Sequence, residues 1–178
     1  VYRWMDCWTP MEITSLFSIP IHHNNYDENL RDLEEECIKR STLDSGRIKS
    51  NSGGWQSNNI FPNDDYFSEF ILEMEEQANN FAEKLEINQK GKIGALWINI
   101  NEYKDCNREH THPNCMISGV FYVKVPDKSG EISFYHPSNE LMSRDWNVDF
   151  EYNMYTSRTM SITPKKGDIF LFPSWLEH

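Results

Sequence analysis

The hydrophobic period of the chain changes near residue 92, and this change constrains the fold more than any other feature. Before it, residues 26–41 and 64–85 repeat apolar side chains at a helical spacing, with Asp64 or Asp65 as the cap of the second helix. After it come β-rich segments separated by turn signals: 95–101, 116–125, 130–136, 159–163 and 167–173. This order predicts a mainly β jelly roll with flanking helices on one side.

The rest of the chain fits a single domain over residues 11–178. Residues 15–23 predict a short first strand that leaves His22 and His23 on the surface, and 43–64 predict a loop rich in Ser, Asn and Gly. Residues 1–10 have no clear period and are expected to be an upstream or non-native extension.

The chain stops directly after its last predicted strand, so we expect a C-terminal truncation that removes a closing strand of the jelly roll. The exposed sheet edge would then suit a partner chain, such as the second copy in a homodimer.

Composition excludes several classes of protein. The net charge of −11 argues against a general binder of nucleic acid or of anionic membranes. No stretch of about 18 apolar residues predicts a membrane span, and no apolar signal-peptide core is present, so a cytoplasmic protein is expected. The four cysteines form no CxxC pair and are expected to be free thiols.

Two histidines, His110 and His112, stand one residue apart ahead of the predicted strand 116–125. In an extended segment such residues point to the same side, so both imidazoles could bind one metal ion. A third ligand must come from a neighbouring strand, and His178 is a candidate because it follows the last strand. Three ligands with open positions are typical of non-haem Fe(II) oxygenases. The pair also fits solvated residues beside a turn at Pro113, and the terminal "LEH" also fits the start of a purification tag.

Three motifs together give a more specific indication. "SNSGGWQS" (50–57), "HTHPNCMISGVFYVKVP" (110–126) and "KGDIFLFPSWLEH" (166–178) resemble the 2-oxoglutarate/Fe(II)-dependent dioxygenases of a small bacterial and phage group. The resemblance implies a double-stranded β-helix of the cupin-like jelly-roll type, with Fe(II) bound by His110 and His178. It places His112 where the wider superfamily has Asp or Glu. It also implies 2-oxoglutarate as co-substrate and hydroxylation of an unidentified substrate, with release of succinate and CO₂.

The candidate residues for binding the co-substrate are Tyr122, Asn99 and Asn101. Tyr122 matches, by its offset, a tyrosine that in similar enzymes bonds the far carboxylate of 2-oxoglutarate, and the two asparagines share one face of their predicted strand. Core roles fit all three residues as well. In the wider superfamily the carboxylate-binding arginine lies on the strand after the last histidine, so the resemblance implies a position beyond His178. No motif assigns that role to the other arginines considered, Arg108, Arg144 and Arg158.

Trp55 and Gln56, in the glycine-rich "SGGWQS" loop, and His136, at a strand end, are candidates for contacting the substrate, a small molecule or a peptide. For His112, a supporting role or a substrate contact stays open, with Glu109 or Asp105 as the ligand instead. Two other functions stay open as well. One is a three-His cupin-type dioxygenase that does not use 2-oxoglutarate, and the other is a non-enzymatic metal-binding jelly roll.

Overall fold

The structure is a computed structural model and describes residues 13–138 and 151–178. Over residues 13–138, the structure has two helices: α1 (Leu30–Leu43) and α2 (Ser68–Lys84). The described strands are β1 (His22–Asn25), β2 (Asn51–Ser52), β3 (Trp55–Gln56), β4 (Asn99–Ile100), β5 (Cys106–Asn107), β6 (Ile117–Phe121), β7 (Ile132–Tyr135), β8 (Thr159–Ile162) and β9 (Asp168–Pro173).

The described strands form four small antiparallel sheets. The largest has the order β1-β9-β6, and β2-β5, β3-β4 and β7-β8 form pairs. In the largest sheet His22 lies opposite Leu171, and β6 runs beside β9 from Ile117 opposite Pro173 to Phe121 opposite Ile169. The described residues are thus mostly β with two helices, which confirms the predicted fold class at that level.

Strand β9 is the centre of the core because both of its faces are covered. Phe170 and Phe172 pack with β7 on one face, while Ile169 and Leu171 pack against α2 on the other. A strand buried on both faces reads as a continuous apolar run, which explains "DIFLF". On β6, a Cβ added at Gly119 would come within 2.6 Å of the Leu171 side chain, so this close approach requires the glycine. The chain that leaves β9 leads to His178, whose ring stays in contact with Phe172 of this core.

The predicted first strand at residues 15–23 is wrong. The structure has no strand over 13–21, and β1 begins at His22, beyond Pro20, which lacks a backbone N–H for a sheet ladder. The surface position predicted for His22 is also wrong, since its ring lies half-buried, with its centroid 5.7 Å from that of Phe81. His23 is exposed as predicted, and its ring stacks on Phe170.

Two other segments differ from prediction. The segment 43–64 is not purely a loop, because β2 and β3 lie within it; strands of two residues are too short to produce a period. The strand predicted at 95–101 is reduced to β4, with a single bridge between Ile60 and Leu96 upstream of it.

Phe67 occupies the N-cap position of α2 without a side-chain capping hydrogen bond, and Asp64, one of the two predicted caps, instead closes the turn that leads into the helix. Its Oδ1 accepts the backbone N–H groups of Tyr66 and Phe67, each at 3.0 Å. The Arg40 guanidinium also donates to both carboxylate oxygens at 2.8 Å, which ties α1 to the start of α2. These bonds, of which the Arg40 pair is the strongest, hold the pKa of Asp64 at about 2, below its ordinary value of 3.8.

Replacing Asp64 with asparagine should therefore lower the free energy of unfolding by about 1–2 kcal/mol at neutral pH. Because the folded-state pKa is lowered, the stabilisation is complete above the ordinary pKa and is lost as the pH falls towards about 2. The difference between wild type and Asp64→Asn should shrink over that window in urea titrations at several pH values. Asp65→Asn, on an exposed neighbour, should change little; an equal loss there would contradict the assignment.

Candidate metal centre

Backbone pairing brings His110, His112 and His178 together. His110 and His178 exchange two backbone hydrogen bonds, with N–O distances of 3.1 and 3.2 Å, and the His112 N–H donates to the Ser174 carbonyl at 3.0 Å. The HxH segment thus runs beside the chain that leaves β9. The ring centroids lie 4.7 Å apart for His110 and His112, 4.5 Å for His110 and His178, and 5.1 Å for His112 and His178.

The three imidazoles form a possible metal-binding group, the three-His cluster. One nitrogen atom from each ring lies within 4.8 Å of the other two, and all three residues are half-buried. Among residues 13–138 and 151–178 no carboxylate joins this group. The Asp105 carboxylate accepts the Glu102 N–H at 2.8 Å, and the Glu109 carboxylate accepts a hydrogen bond from the Tyr135 hydroxyl. The donor set is therefore three nitrogens, a set that suits Fe, Zn, Cu or Ni.

Backbone carbonyls orient two of the rings. The Nδ1 of His110 lies 2.8 Å from the Arg108 carbonyl oxygen, and the Nδ1 of His178 lies 2.9 Å from that of Leu176. A carbonyl oxygen only accepts hydrogen bonds, so Nδ1 must carry the proton in each ring. The lone pair is then on Nε2, which is free to bind a metal; metal-binding histidines commonly have such a partner on the other nitrogen.

The cluster favours neutral imidazoles. Burial, followed by repulsion from His110 and His178, lowers the pKa of His112 to about 4. Burial also lowers the pKa of His178, with a smaller opposing effect from its bond to Leu176. These two rings are therefore unprotonated at neutral pH and need not lose a proton before they bind a metal.

Two aromatic side chains line the cluster. The Phe172 ring meets His178 edge-on at 4.6 Å between centroids, and the Trp97 ring is tilted against His112 at 5.6 Å. Trp97 lies in the predicted strand 95–101, and the sequence alone assigns it no role. Its contact depends on a fold that joins residues distant in the sequence, so no local pattern could have indicated it.

Tyr122 lies on the same face of the central sheet as Phe172. Its ring meets Phe170 edge-on at 6.1 Å, and both belong to the cluster between β9 and β7. Burial, with a smaller effect from the Asp168 charge, raises the pKa of Tyr122 to about 12. The hydroxyl therefore keeps its proton and can donate a hydrogen bond. Its role in binding a co-substrate stays a prediction.

The two asparagines proposed for the co-substrate differ in their surroundings. Asn99 is exposed and lies directly opposite Gln56 in the β3-β4 pair. Asn101 donates from its side chain to the Asn107 side-chain oxygen at 3.0 Å, and its own oxygen lies against Gly54. Asn101 is thus bonded to Asn107 and packs beside the glycine-rich turn, whereas Asn99 is available to a ligand.

The residues proposed for substrate contact do not join the cluster. The Trp55 indole N–H donates to the Asp44 carbonyl at 2.8 Å, and His136 is exposed and accepts the Ser138 N–H on Nδ1 at 3.0 Å. Gln56 is 3% exposed, and its Oε1 is buried with no hydrogen-bond partner in the part of the chain that the structure describes. Substrate contact by these residues stays a prediction.

The fold and the cluster define a β-rich protein with a site suited to a transition metal. Comparison with protein families refines this class. Residues 95–178 match the family model described as "Putative 2OG-Fe(II) oxygenase", and the matched segment contains all three histidines of the cluster. The chain therefore resembles this oxygenase family over residues 95–178, which confirms the predicted resemblance at the level of the family; the motif at 50–57 lies outside the matched segment. No curated protein gives a significant match. Within the described residues, no helix is both long enough and apolar enough to span a bilayer.

Proposed function

We propose that the chain is an Fe(II)- and 2-oxoglutarate-dependent dioxygenase with a double-stranded β-helix fold, in which His110, His112 and His178 hold the iron. The observation that carries this proposal is the convergence of three half-buried imidazoles to within 4.8 Å, inside the segment that matches the oxygenase family. In the proposed reaction a substrate C–H bond, O₂ and 2-oxoglutarate give a C–OH group, succinate and CO₂. The substrate would be a small molecule or a peptide.

Iron bound here would supply open positions for the co-substrate and O₂, together with the electrons that O₂ activation needs. The protein's share is geometric and electrostatic. The Arg108 and Leu176 carbonyls fix the rings of His110 and His178, and the rings of Trp97 and Phe172 pack against those of His112 and His178. Because imidazole is neutral, a three-His site leaves the full charge of the ion in place. Such a site attracts a dianion such as 2-oxoglutarate.

Tyr122 and Asn99 would assist in holding the co-substrate. The pKa of Tyr122, raised to about 12, keeps its hydroxyl protonated as a hydrogen-bond donor, and Asn99 is exposed without a side-chain partner among the described residues. Both would donate to carboxylate oxygens of 2-oxoglutarate.

A second candidate is a three-His dioxygenase that uses no 2-oxoglutarate. It is favoured by one observation, the lack of a carboxylate in the metal-binding group of the described residues. The two candidates differ in whether O₂ uptake depends on 2-oxoglutarate.

Succinate formation separates these functions. The chain should convert 2-oxoglutarate to succinate only when both Fe(II) and O₂ are present, at a rate at least about tenfold above that of His110→Ala, because the variant lacks one ligand. Succinate can be quantified by mass spectrometry beside an oxygen electrode. O₂ uptake that is unaffected by 2-oxoglutarate would support the second candidate. A protein that binds no Fe(II) and behaves like His110→Ala would leave only a non-enzymatic jelly roll.

A further inference from the structure

Arg47 is the one half-buried arginine in residues 13–138 and 151–178 that has no carboxylate partner. Its Nη2 donates to the Asn59 side-chain oxygen at 2.7 Å, and its Nε is buried with no hydrogen-bond partner among those residues. By contrast, Arg40 makes hydrogen bonds to both Asp64 and Glu36. A partly desolvated guanidinium without a counter-ion costs free energy, although this chain has 28 acidic residues that could have supplied one. An anionic ligand that binds at Arg47 would explain why the protein supplies no carboxylate partner for this guanidinium.

Arg47 and the three-His cluster share one neighbour, the ring of Trp97. The Cζ of Arg47 is 5.9 Å from the centroid of the Trp97 ring, and the same ring is 5.6 Å from the His112 ring. The indole thus contacts the guanidinium and the imidazole together. A small organic molecule that lies along Trp97 would reach both.

Gln56 adds a second unpartnered polar group beside Arg47. Its carbonyl accepts the Arg47 backbone N–H at 2.8 Å, and its buried side chain leaves Oε1 unpaired in the described structure. Buried polar groups normally have partners, so this atom needs an explanation as well. A glutamine amide has both an acceptor and donors, so it can accept from a guanidinium and donate to a carboxylate together.

Strand alternation places the side chains of Gln56, Asn99 and Trp97 on one face of the β3-β4 pair. Gln56 lies opposite Asn99 in the β3-β4 pair, so their side chains share a face. Ile98 packs into the core, which puts its neighbours Trp97 and Asn99 on the other face, the one that contacts His112.

We propose that Arg47, assisted by Gln56, binds a carboxylate group of the organic acid that reacts at the three-His cluster. Arginine suits this task because its planar fork binds a carboxylate with two parallel hydrogen bonds. The carboxylate belongs either to the co-substrate or to the substrate, which would then be a carboxylic acid. The inference depends on the proposed function only for the presence of such an acid at the cluster.

Calorimetry tests whether Arg47 binds a carboxylate. Anaerobic conditions prevent turnover during the titration. Fe(II)-loaded wild type, Arg47→Gln and Arg47→Lys are titrated with 2-oxoglutarate and with pyruvate, a 2-oxo acid that lacks the second carboxylate. Glutarate, a dicarboxylate without the 2-oxo group, is then titrated into protein saturated with 2-oxoglutarate. The control is Arg31→Gln, on an arginine that is 84% exposed, and circular dichroism with Fe(II) titration verifies that each variant is folded.

We expect Arg47→Gln to lower the affinity of the protein for one of the two dicarboxylates by about tenfold or more. Arg47→Lys should lower this affinity less, and Arg31→Gln should leave it unchanged. If only the affinity for 2-oxoglutarate falls and the affinity for pyruvate is unchanged, the carboxylate bound by Arg47 belongs to the co-substrate. If only the affinity for glutarate falls, the carboxylate bound by Arg47 belongs to the substrate. Equal binding of both dicarboxylates by wild type and Arg47→Gln, or no binding by either, would overturn the inference. If iron-loaded wild type does not bind 2-oxoglutarate, glutarate is titrated alone; glutarate binding that is weaker in Arg47→Gln would then mean that the proposed function fails while the inference stands.

Discussion

Replacing His178 with alanine should reduce the affinity for Fe(II) by about 100-fold or more. Loss of a hydrogen-bond partner behind a metal ligand already costs about 10- to 100-fold, and loss of the ligand itself should cost at least as much. The His178 ring lies 4.5 Å from that of His110 and 5.1 Å from that of His112, measured between centroids, and no fourth histidine of the described residues belongs to this group. Anaerobic calorimetry, or competition with a chromogenic chelator, measures the affinity.

His136→Ala is the matched control for this experiment. His136 is exposed, lies outside the three-His cluster and only closes a local turn, so its removal should leave Fe(II) binding unchanged. Equal losses in His136→Ala and His178→Ala would indicate non-specific binding by surface histidines. Unchanged binding in His178→Ala would remove the terminal histidine from the site.

The second large effect concerns His112. His112→Ala should lose about 100-fold in Fe(II) affinity, whereas His112→Asp should stay within about tenfold of wild type, because a carboxylate is also an iron ligand and completes a 2-His-1-carboxylate triad. The new carboxylate also removes one unit of positive charge, so His112→Asp should bind 2-oxoglutarate several-fold more weakly. Calorimetric titrations with Fe(II) and then with 2-oxoglutarate give both values.

Wild-type affinity in His112→Ala would contradict a ligand role for His112. The imidazole would then support the site or contact the substrate, and the third ligand would have to be sought elsewhere. Glu109 and Asp105 would be the variants to make next, although both carboxylates accept hydrogen bonds from other residues.

The sequence predicted the elements that have a strong period. The two helices appear with shifted ends, at 30–43 and 68–84 against the predicted 26–41 and 64–85, and β6, β7, β8 and β9 each lie within a predicted segment. The two-residue strands β2, β3 and β5 were missed, because so short a strand has no period to detect. The first strand was misplaced because Pro20 falls inside an alternating run, and only pairing with β9 determines where the strand begins.

The site also contains residues that local sequence patterns could indicate and residues that only the tertiary structure brings together. His110 and His112 could be paired from their spacing, and His178 from its place after the last strand. That these residues share backbone hydrogen bonds depends on how the chain after β9 runs beside the HxH segment. Arg47 could not be found by local reasoning, because it lies in a polar loop and approaches the cluster only through Trp97.

X-ray absorption spectroscopy of the Fe(II)-loaded chain tests the central claim most directly, because the scattering from imidazole rings reports how many histidines bind the metal. The account predicts three imidazole ligands and a remainder of oxygen ligands in the wild type, and two imidazoles in His112→Asp. Two or fewer imidazoles in the wild type, unchanged in His112→Asp, would contradict a three-His iron centre.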